Sequence, residues 1–92
     1  MNRSELSKEI ADKLGVSQKE ALKYIDLITG SITDAMEKGE RVEIRGFGSF
    51  IVKKYEKREG VNPKNGAKIT IPAKKLPAFK AGKDLKAKIN NH

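Results

Sequence analysis

Residues 53–75 constrain the fold more strongly than any other part of the chain. This segment contains eight basic and two acidic residues, and its centre, from Gly60 to Gly66, is dense in turn-forming residues. Strand-like sequence flanks this centre, with apolar residues alternating at Ile69 and Ile71. So few apolar side chains cannot form a core of their own, and a two-stranded ribbon alone is only marginally stable in water. The sequence therefore predicts a basic hairpin arm that is ordered by a binding partner.

The net charge of +8 is distributed unevenly along the 92 residues. Residues 1–39 have a net charge of −1 and residues 40–52 a net charge of zero, whereas residues 53–75 have +6 and residues 76–92 have +3. A merely solvated surface would scatter this charge, whereas a binding surface concentrates it. The pattern indicates a polyanionic partner, with nucleic acid favoured over an anionic membrane.

Composition limits the remaining possibilities. Only 37% of the residues are hydrophobic, so the core of a single 92-residue domain is small, and we expect a partner subunit to supply part of the burial. The chain has no cysteine, which excludes disulfides and thiolate metal sites, and we expect neither a metal nor a cofactor. It has no apolar run long enough to span a bilayer and no signal-peptide pattern at its start. We therefore expect a soluble cytoplasmic protein with no membrane partner.

Two helices are predicted within residues 2–38. The first begins with a cap at Asn2 and stops at Gly15, and the second begins with a cap at Ser17 and stops at Gly39. Apolar residues recur at helical spacing in both: Leu6, Ile10 and Leu14, then Ala21, Ile25, Ile28, Ile32 and Met36. The region is net acidic and its second helix is too long for a recognition helix, so it does not fit the DNA-reading helix-turn-helix motif.

After residue 40 the apolar residues recur at every second position, which is the spacing of a β-strand. Val42 and Ile44 alternate with charged residues, and Phe50 and Val52 alternate again after a glycine turn, which predicts a hairpin. A further strand follows the arm, and Gly82 precedes a short last helix. The sequence predicts an α+β fold with a helical pair, a three-stranded antiparallel sheet extended by a long β-ribbon arm, and a short C-terminal helix.

Four segments together have a highly specific spacing. They are Gly46-Phe47-Gly48-Ser49-Phe50, Arg58-x-Gly60-x-Asn62-Pro63-x-Asn65-Gly66, Ile71-Pro72-Ala73 and Phe79-Lys80-x-Gly82-Lys83. On these residues the chain resembles the HU/IHF family of bacterial DNA-architectural proteins, and HU more than IHF. The resemblance covers residues 1–92 without a gap as a single DNA-binding domain. It implies an intertwined dimer in the nucleoid, with residues 1–39 as the helical dimerisation part and residues 53–75 as the arm that enters the DNA minor groove.

Pro63 is the residue that the resemblance places as a wedge between DNA base pairs. Proline has a rigid apolar ring and no amide donor, so it enters a base step without leaving a polar group unsatisfied. It also fixes the backbone at the start of a turn, and the two roles are compatible. Asn62 either caps this turn or binds minor-groove acceptors that all base pairs share. Val61 completes the predicted contacts at the tip.

Basic side chains form the remainder of the predicted DNA-binding surface. Those along the arm are Lys53, Lys57, Arg58, Lys64, Lys68 and Lys75. About half of them face DNA at once, because strand side chains alternate between faces. Lys80, Lys83 and Lys86 extend the surface onto the body, where the last helix begins near a phosphate. Arg3 and Arg45-Gly46 contribute more weakly, and Asp26 is either an ordinary surface charge or a partner of Arg3 or Lys83.

The three phenylalanines, Phe47, Phe50 and Phe79, lie among apolar residues and glycines at strand spacing. This spacing favours a core role over base stacking, and the resemblance implies that they form the dimer core.

Four positions depart from the pattern of the family. Tyr55 and Val61 replace residues that are often basic or small, Glu59 adds a negative charge beside the tip, and Ala81 replaces a proline. These changes make the arm less basic near its end, so DNA bending is a firmer expectation than tight binding.

Three other functions are alternatives to sequence-independent DNA binding. Catalysis is disfavoured because the chain has no cysteine, no evident pair of acids, and a single histidine, His92, at its end. RNA binding of the small ribosomal kind is a secondary possibility, because charge does not distinguish RNA from DNA. Sequence-specific bending of the IHF type is the third. The favoured function is DNA binding by a homodimer. We expect it to bind double-stranded DNA with little sequence preference and to prefer bent, nicked or distorted duplex.

We predict a steep salt dependence of DNA binding, because each cation that neutralises a phosphate releases counterions. The logarithm of the association constant should fall linearly with the logarithm of salt concentration, with a slope of about −0.9 for each phosphate contact. Titration of a labelled duplex at several salt concentrations measures this slope. A nearly flat dependence would contradict the role assigned to the basic residues.

Overall fold

The computed structural model describes residues 1–91, which form three helices and five strands. In chain order these elements are α1 (Arg3–Leu14), α2 (Gln18–Glu37), β1 (Val42–Ile44), β2 (Gly48–Tyr55), β3 (Arg58–Val61), β4 (Lys68–Ile71), β5 (Lys74–Ala81) and α3 (Lys83–Asn90). The predicted α+β fold is confirmed. His92, the single histidine in the argument against catalysis, lies outside the described residues. Within residues 1–91, no helix is long and apolar enough to cross a membrane.

Side-chain caps begin the first two helices where the sequence predicted them. The Asn2 Oδ1 atom accepts a hydrogen bond from the backbone N–H of Glu5 at 2.8 Å, and the Ser17 Oγ atom accepts one from Glu20 at 3.1 Å. Each bond satisfies a backbone donor that lacks a partner in the first turn of a helix. Gly15 ends α1 in the left-handed conformation, with φ of 70°. Glycine adopts this conformation without the steric cost that a Cβ atom brings.

The β2–β5 pair connects the body to the arm. The strand order in the main sheet is β1-β2-β5. The antiparallel pairing of β2 with β5 begins with Gly48 opposite Ala81 and ends with Tyr55 opposite Lys74. Pairing is then interrupted, and β3 and β4 form a separate two-stranded sheet. Its pairing begins with Arg58 opposite Ile71 and ends with Val61 opposite Lys68. The arm is therefore a ribbon in two sections, and its distal section has no third strand beside it among residues 1–91.

The arm makes the molecule strongly elongated. The principal dimensions are 61 × 33 × 27 Å, and the radius of gyration is 19.2 Å. A compact domain of this length has a radius of gyration of about 12 Å. The difference means that the arm extends away from the body rather than folding back onto it.

The core of the single chain is small and lies between α1 and α2. Among the described residues, the buried apolar side chains are Ala11, Ala21 and Ile25. The predicted stripe on α1 differs from the observed contact, because Leu14 is 60% exposed and Leu6 is also exposed. Small side chains form this contact because they allow the two helices to approach closely, and the leucines are left on the surface.

Gln18 supports this helix contact through buried polar groups. Its Nε2 atom donates to the Ser7 Oγ atom at 3.2 Å and lies 3.3 Å from the Ser4 Oγ atom. Ser7 is fully buried and also donates to the backbone oxygen of Ser4 at 2.6 Å. Burying the Ser7 hydroxyl is tolerated because its hydrogen bonds are satisfied.

The three phenylalanines form a second apolar cluster. Phe79 lies between the other two, with ring centroids 5.2 Å from Phe47 and 5.0 Å from Phe50. Both rings are tilted against Phe79, which is a favourable arrangement for aromatic pairs. Phe47 and Phe79 are each 43% exposed, so the cluster is only half covered by its own chain.

We predict that Gly48→Ala destabilises the fold, because a Cβ atom at this position would lie 2.5 Å from the backbone oxygen of Lys80 and 2.6 Å from the ring of Phe79. Such overpacking costs about 1–3 kcal/mol, which lowers the melting temperature of a small domain by several degrees or more. Thermal unfolding followed by circular dichroism measures the change. Gly60→Ala is the matched control, because its Cβ atom meets only ordinary contacts at 3.7 Å. Equal melting temperatures for both variants would refute the prediction.

Candidate nucleic-acid interface

Strand pairing divides the β2–β5 ladder into two faces. Paired residues lie on the same face and successive residues on opposite faces. The helix-side face, which lines grooves shared with α2, consists of Phe50, Val52, Lys54, Lys75, Pro77 and Phe79. The opposite face, called the outer face, consists of Ser49, Ile51, Lys53, Tyr55, Lys74, Leu76, Ala78 and Lys80.

The two faces separate lysines that the sequence grouped together. Lys53 and Lys80 share the outer face with Lys74, which was not among the predicted site residues. Lys75 instead lies on the helix-side face, in a groove that it lines together with Glu37 of α2. Lys75 therefore lies on the opposite side of the ladder from the other three lysines.

The distal section of the arm also has two distinct faces. Arg58 shares one face with Gly60, Ile69 and Ile71, and both isoleucines lie 3.7 Å from a Cβ atom built on Gly60. The opposite face consists of Glu59, Val61, Lys68 and Thr70. One face is therefore largely apolar with a single cation, and the other is polar with one acidic and one basic residue. Lys57 lies in the exposed connection between β2 and β3.

The tip of the arm is a closed, hydrogen-bonded turn. Asn62 donates its backbone N–H to the oxygen of Ala67, and its own backbone oxygen accepts from Gly66, both at 2.8 Å. The Asn62 Oδ1 atom accepts from the N–H of Lys64 at 2.9 Å. The side chain of Asn62 therefore caps the turn, as one of the two predicted roles requires. These bonds hold Pro63 at the exposed end of the arm.

A basic groove on the body lies beside the start of α3. It has a volume of about 410 Å³ and brings together residues from three elements and their connections: Arg41, Ser49, Lys80, Ala81, Gly82, Lys83 and Lys86. The three lysines were predicted site residues, whereas Arg41 was not. Arg41 comes next to an acidic residue in the sequence, and only the fold shows that its Nη2 atom donates to the Ser49 Oγ atom at 3.2 Å. Nothing in the sequence pattern indicated this contact.

Arg45 and Gly46 lie in the turn between β1 and β2, next to α3. They line a smaller groove of about 220 Å³ together with Lys83, Glu43 and Asp84. The two carboxylates oppose the attraction of the cations for a phosphate here. The fold thus brings Arg45 and Lys83 together, as the predicted surface requires, but it also adds acidic groups to that site.

Arg3 is engaged within the protein rather than free at the surface. Its Nη2 and Nε atoms donate to the two carboxylate oxygens of Asp26 at 2.6 and 3.0 Å. Of the two predicted partners of Asp26, Arg3 is the one that pairs. The hydrogen bond and the charge of Asp26 raise the pKa of Arg3 above its ordinary value. Both side chains are more than half exposed, so the pair is accessible to competition from a phosphate.

The side chains of the candidate interface are of the kinds that bind nucleic acid. Within residues 1–91, there is no cluster of three or more histidine, cysteine, aspartate or glutamate residues arranged to hold a metal ion. The interface consists of lysines, arginines, amides and one exposed proline. Such groups bind phosphates and groove edges.

The sequence model of the family described as bacterial DNA-binding protein matches residues 1–90. The chain belongs to this family. HU from Geobacillus stearothermophilus is 46% identical over 86 residues, which make up 94% of this chain and 96% of that protein. HU from Thermotoga maritima is 47% identical over 89 residues, which make up 97% of this chain and 99% of that protein.

Solved structures of family members have the same fold. The Anabaena HU in a cocrystal structure with DNA matches with a TM-score of 0.86 and 38% identity, over 100% of both chains. HU from Thermotoga maritima matches with a TM-score of 0.71 and 36% identity, over 98% of this chain and 100% of that chain. The family resemblance predicted from the four sequence segments is therefore confirmed.

We predict that Lys53→Gln weakens DNA binding more than Lys75→Gln, because Lys53 lies on the outer face with Lys74 and Lys80, whereas Lys75 lies on the helix-side face. Loss of one phosphate contact should reduce the magnitude of the salt slope by about 0.9. Fluorescence anisotropy with one duplex at several salt concentrations measures both variants. The same loss of slope for Lys75→Gln would show that the faces do not determine the contacts.

Proposed function

We propose that this protein is a histone-like, architectural DNA-binding protein that binds duplex DNA largely independently of sequence and bends, wraps and compacts it in the cytoplasmic nucleoid. The single observation that carries this proposal is the basic two-stranded arm, which extends from the body and ends in an exposed proline. The membership of the chain in a bacterial DNA-binding family supports the same conclusion.

The working form is an intertwined homodimer. The single chain exposes 7892 Å², about half as much again as the roughly 5,300 Å² expected of a globular protein of this mass. Part of this surface is apolar, including the half-exposed cluster of Phe47, Phe50 and Phe79 and a groove of about 360 Å³ between α2 and the sheet. A second copy would supply the burial that the small core lacks and would place one arm on each side of the duplex.

Each arm lies in the minor groove, with Pro63 at its end as the wedge. Insertion of an apolar side chain unstacks a base step at a cost of a few kcal/mol and kinks the duplex by about 20–90°. This range describes minor-groove-binding proteins in general, HU and IHF among them. The closed turn at the tip lowers the entropic cost of insertion, because Asn62 and Gly66 already hold Pro63 in place. The amide nitrogen of Asn62 is directed to minor-groove acceptors.

Phosphate contacts supply the affinity. The predicted phosphate contacts along the arm and the body are Arg3, Arg45, Gly46, Lys53, Lys57, Arg58, Lys64, Lys68, Lys75, Lys80, Lys83 and Lys86. Val61 is also a predicted DNA contact, but it meets the groove rather than a phosphate. Lysines and arginines on phosphates position a protein without reading sequence. A nicked or already bent duplex binds more tightly, because part of the cost of deformation is absent.

We predict that Pro63→Ala retains much of the binding but reduces DNA bending, because the phosphate contacts remain while the rigid wedge is lost. Fluorescence resonance energy transfer between dyes at the two ends of a duplex measures the bend. The assay compares wild type and variant on intact and nicked duplexes of the same sequence. The defect should be smaller on nicked DNA, where unstacking is already partly complete.

Unchanged bending by Pro63→Ala would refute the wedge while leaving DNA binding intact. Competition with RNA tests the wider proposal. If unstructured RNA displaces the protein from nicked DNA of equal length, architectural DNA binding is not its function. A footprint at one defined site, lost by at least tenfold when the flanks are mutated, would favour sequence-specific bending instead.

A further inference from the structure

Tyr55 occupies an unusual position at the base of the arm. It is the last residue of β2, it lies on the outer face, and 46% of it is exposed. Its strand partner is Lys74, whose Nζ atom lies 5.9 Å from the centre of the tyrosine ring. Tyr55 lines an open groove of about 500 Å³ at the base of the arm, together with Lys54, Glu56, Ala73, Lys74 and Lys75. An aromatic surface and cations thus share one exposed site.

The other aromatic rings of residues 1–91 are placed differently. Phe50 and Phe79 lie on the helix-side face, and Phe47 packs against Phe79. Tyr24 lies in α2, where its hydroxyl donates to the Glu20 carboxylate at 2.9 Å, which raises the pKa of Tyr24. Tyr55 is therefore the aromatic ring of the described chain that lies on the same face as Lys53, Lys74 and Lys80.

A phosphate contact requires only a cation or a hydrogen-bond donor, whereas the flat face of an exposed aromatic ring is suited to a stacked base. An exposed aromatic ring among lysines is the combination by which proteins bind unpaired nucleic-acid bases, with the ring stacking on the base and the cations following the backbone. In an intact duplex the base faces are covered by neighbouring base pairs. They become available at a gap or in a single-stranded segment.

We propose that Tyr55 is a stacking site for an unpaired DNA base, with Lys74 neutralising the adjacent phosphate. The site gives the protein added affinity for gapped DNA over intact duplex. It is separate from the wedge, because Tyr55 and Pro63 lie at opposite ends of the arm, separated by about 25 Å of extended chain. The inference rests on the proposed function, since it requires that the arm meets DNA.

Tyrosine fluorescence gives a direct test, because the chain contains no tryptophan and only two tyrosines. Tyr24→Phe leaves Tyr55 as the sole fluorophore. We expect the emission of this variant to be strongly quenched on a duplex with a short single-stranded gap and much less on the intact duplex, after correction for absorption by DNA. Equal quenching by both DNAs would overturn the proposal.

Affinity measurements test the same site by substitution. Tyr55→Leu should lower affinity for gapped DNA by at least about fivefold, the weak end of aromatic base stacking, and leave affinity for intact duplex almost unchanged. Tyr55→Phe should bind like wild type, because it retains the ring. If Tyr55→Leu binds gapped DNA as wild type does, or if Tyr55→Phe is as weak as Tyr55→Leu, stacking is refuted.

These results are distinguishable from failure of the proposed function. Wild-type protein that bends intact duplex while Tyr55→Leu binds gapped DNA normally would refute only the stacking site. Wild-type protein that neither binds nor bends intact duplex would refute the architectural function itself. Tyr24→Phe, whose ring lies in α2 outside the arm, serves as the matched control and should bind gapped and intact duplex as wild type does.

Discussion

Antiparallel pairing between β2 and β5 connects every functional part of this molecule. The ladder begins in the body, where Gly48 lies close against the Phe79 ring, and it continues outward to Tyr55 and Lys74 at the base of the arm. The same pairing assigns each side chain to a face. Phe50 and Phe79 are thereby placed towards α2, and Lys53 and Lys80 are placed on the opposite side. Changing the register by one residue would exchange the two faces.

The small core and the long arm have a common cause. A chain with this much charge has few apolar residues to bury, so the body of one copy stays incomplete and the arm stays outside it. Charges that repel within an isolated arm become favourable beside phosphates. The exposed apolar surface of the body is likewise suited to a second copy. The structure of the single chain thus fits the two partners proposed for it, DNA and a second copy of itself.

Much of the fold was predictable because local signals agreed with it. The caps at Asn2 and Ser17, the glycine ends of the helices and the turn around Pro63 each act over a few residues, and each was found where the sequence placed it. Packing was less predictable. The leucines of α1 had the spacing of a buried stripe, yet Ser7 and Ala11 form the contact within the chain, because close helix approach depends on the shape of the facing surface.

The sequence by itself determined the element order, the segregation of positive charge into residues 53–92, the proline at the tip and the family. These properties depend on residue type and short spacing. Only the tertiary structure decided that Arg41 joins the basic groove, that Arg3 is paired with Asp26, and that Lys74 rather than Lys75 shares the outer face with Tyr55. Such contacts join residues distant in the chain or depend on strand register, and charge counted along a sequence does not report on which side of a sheet it lies.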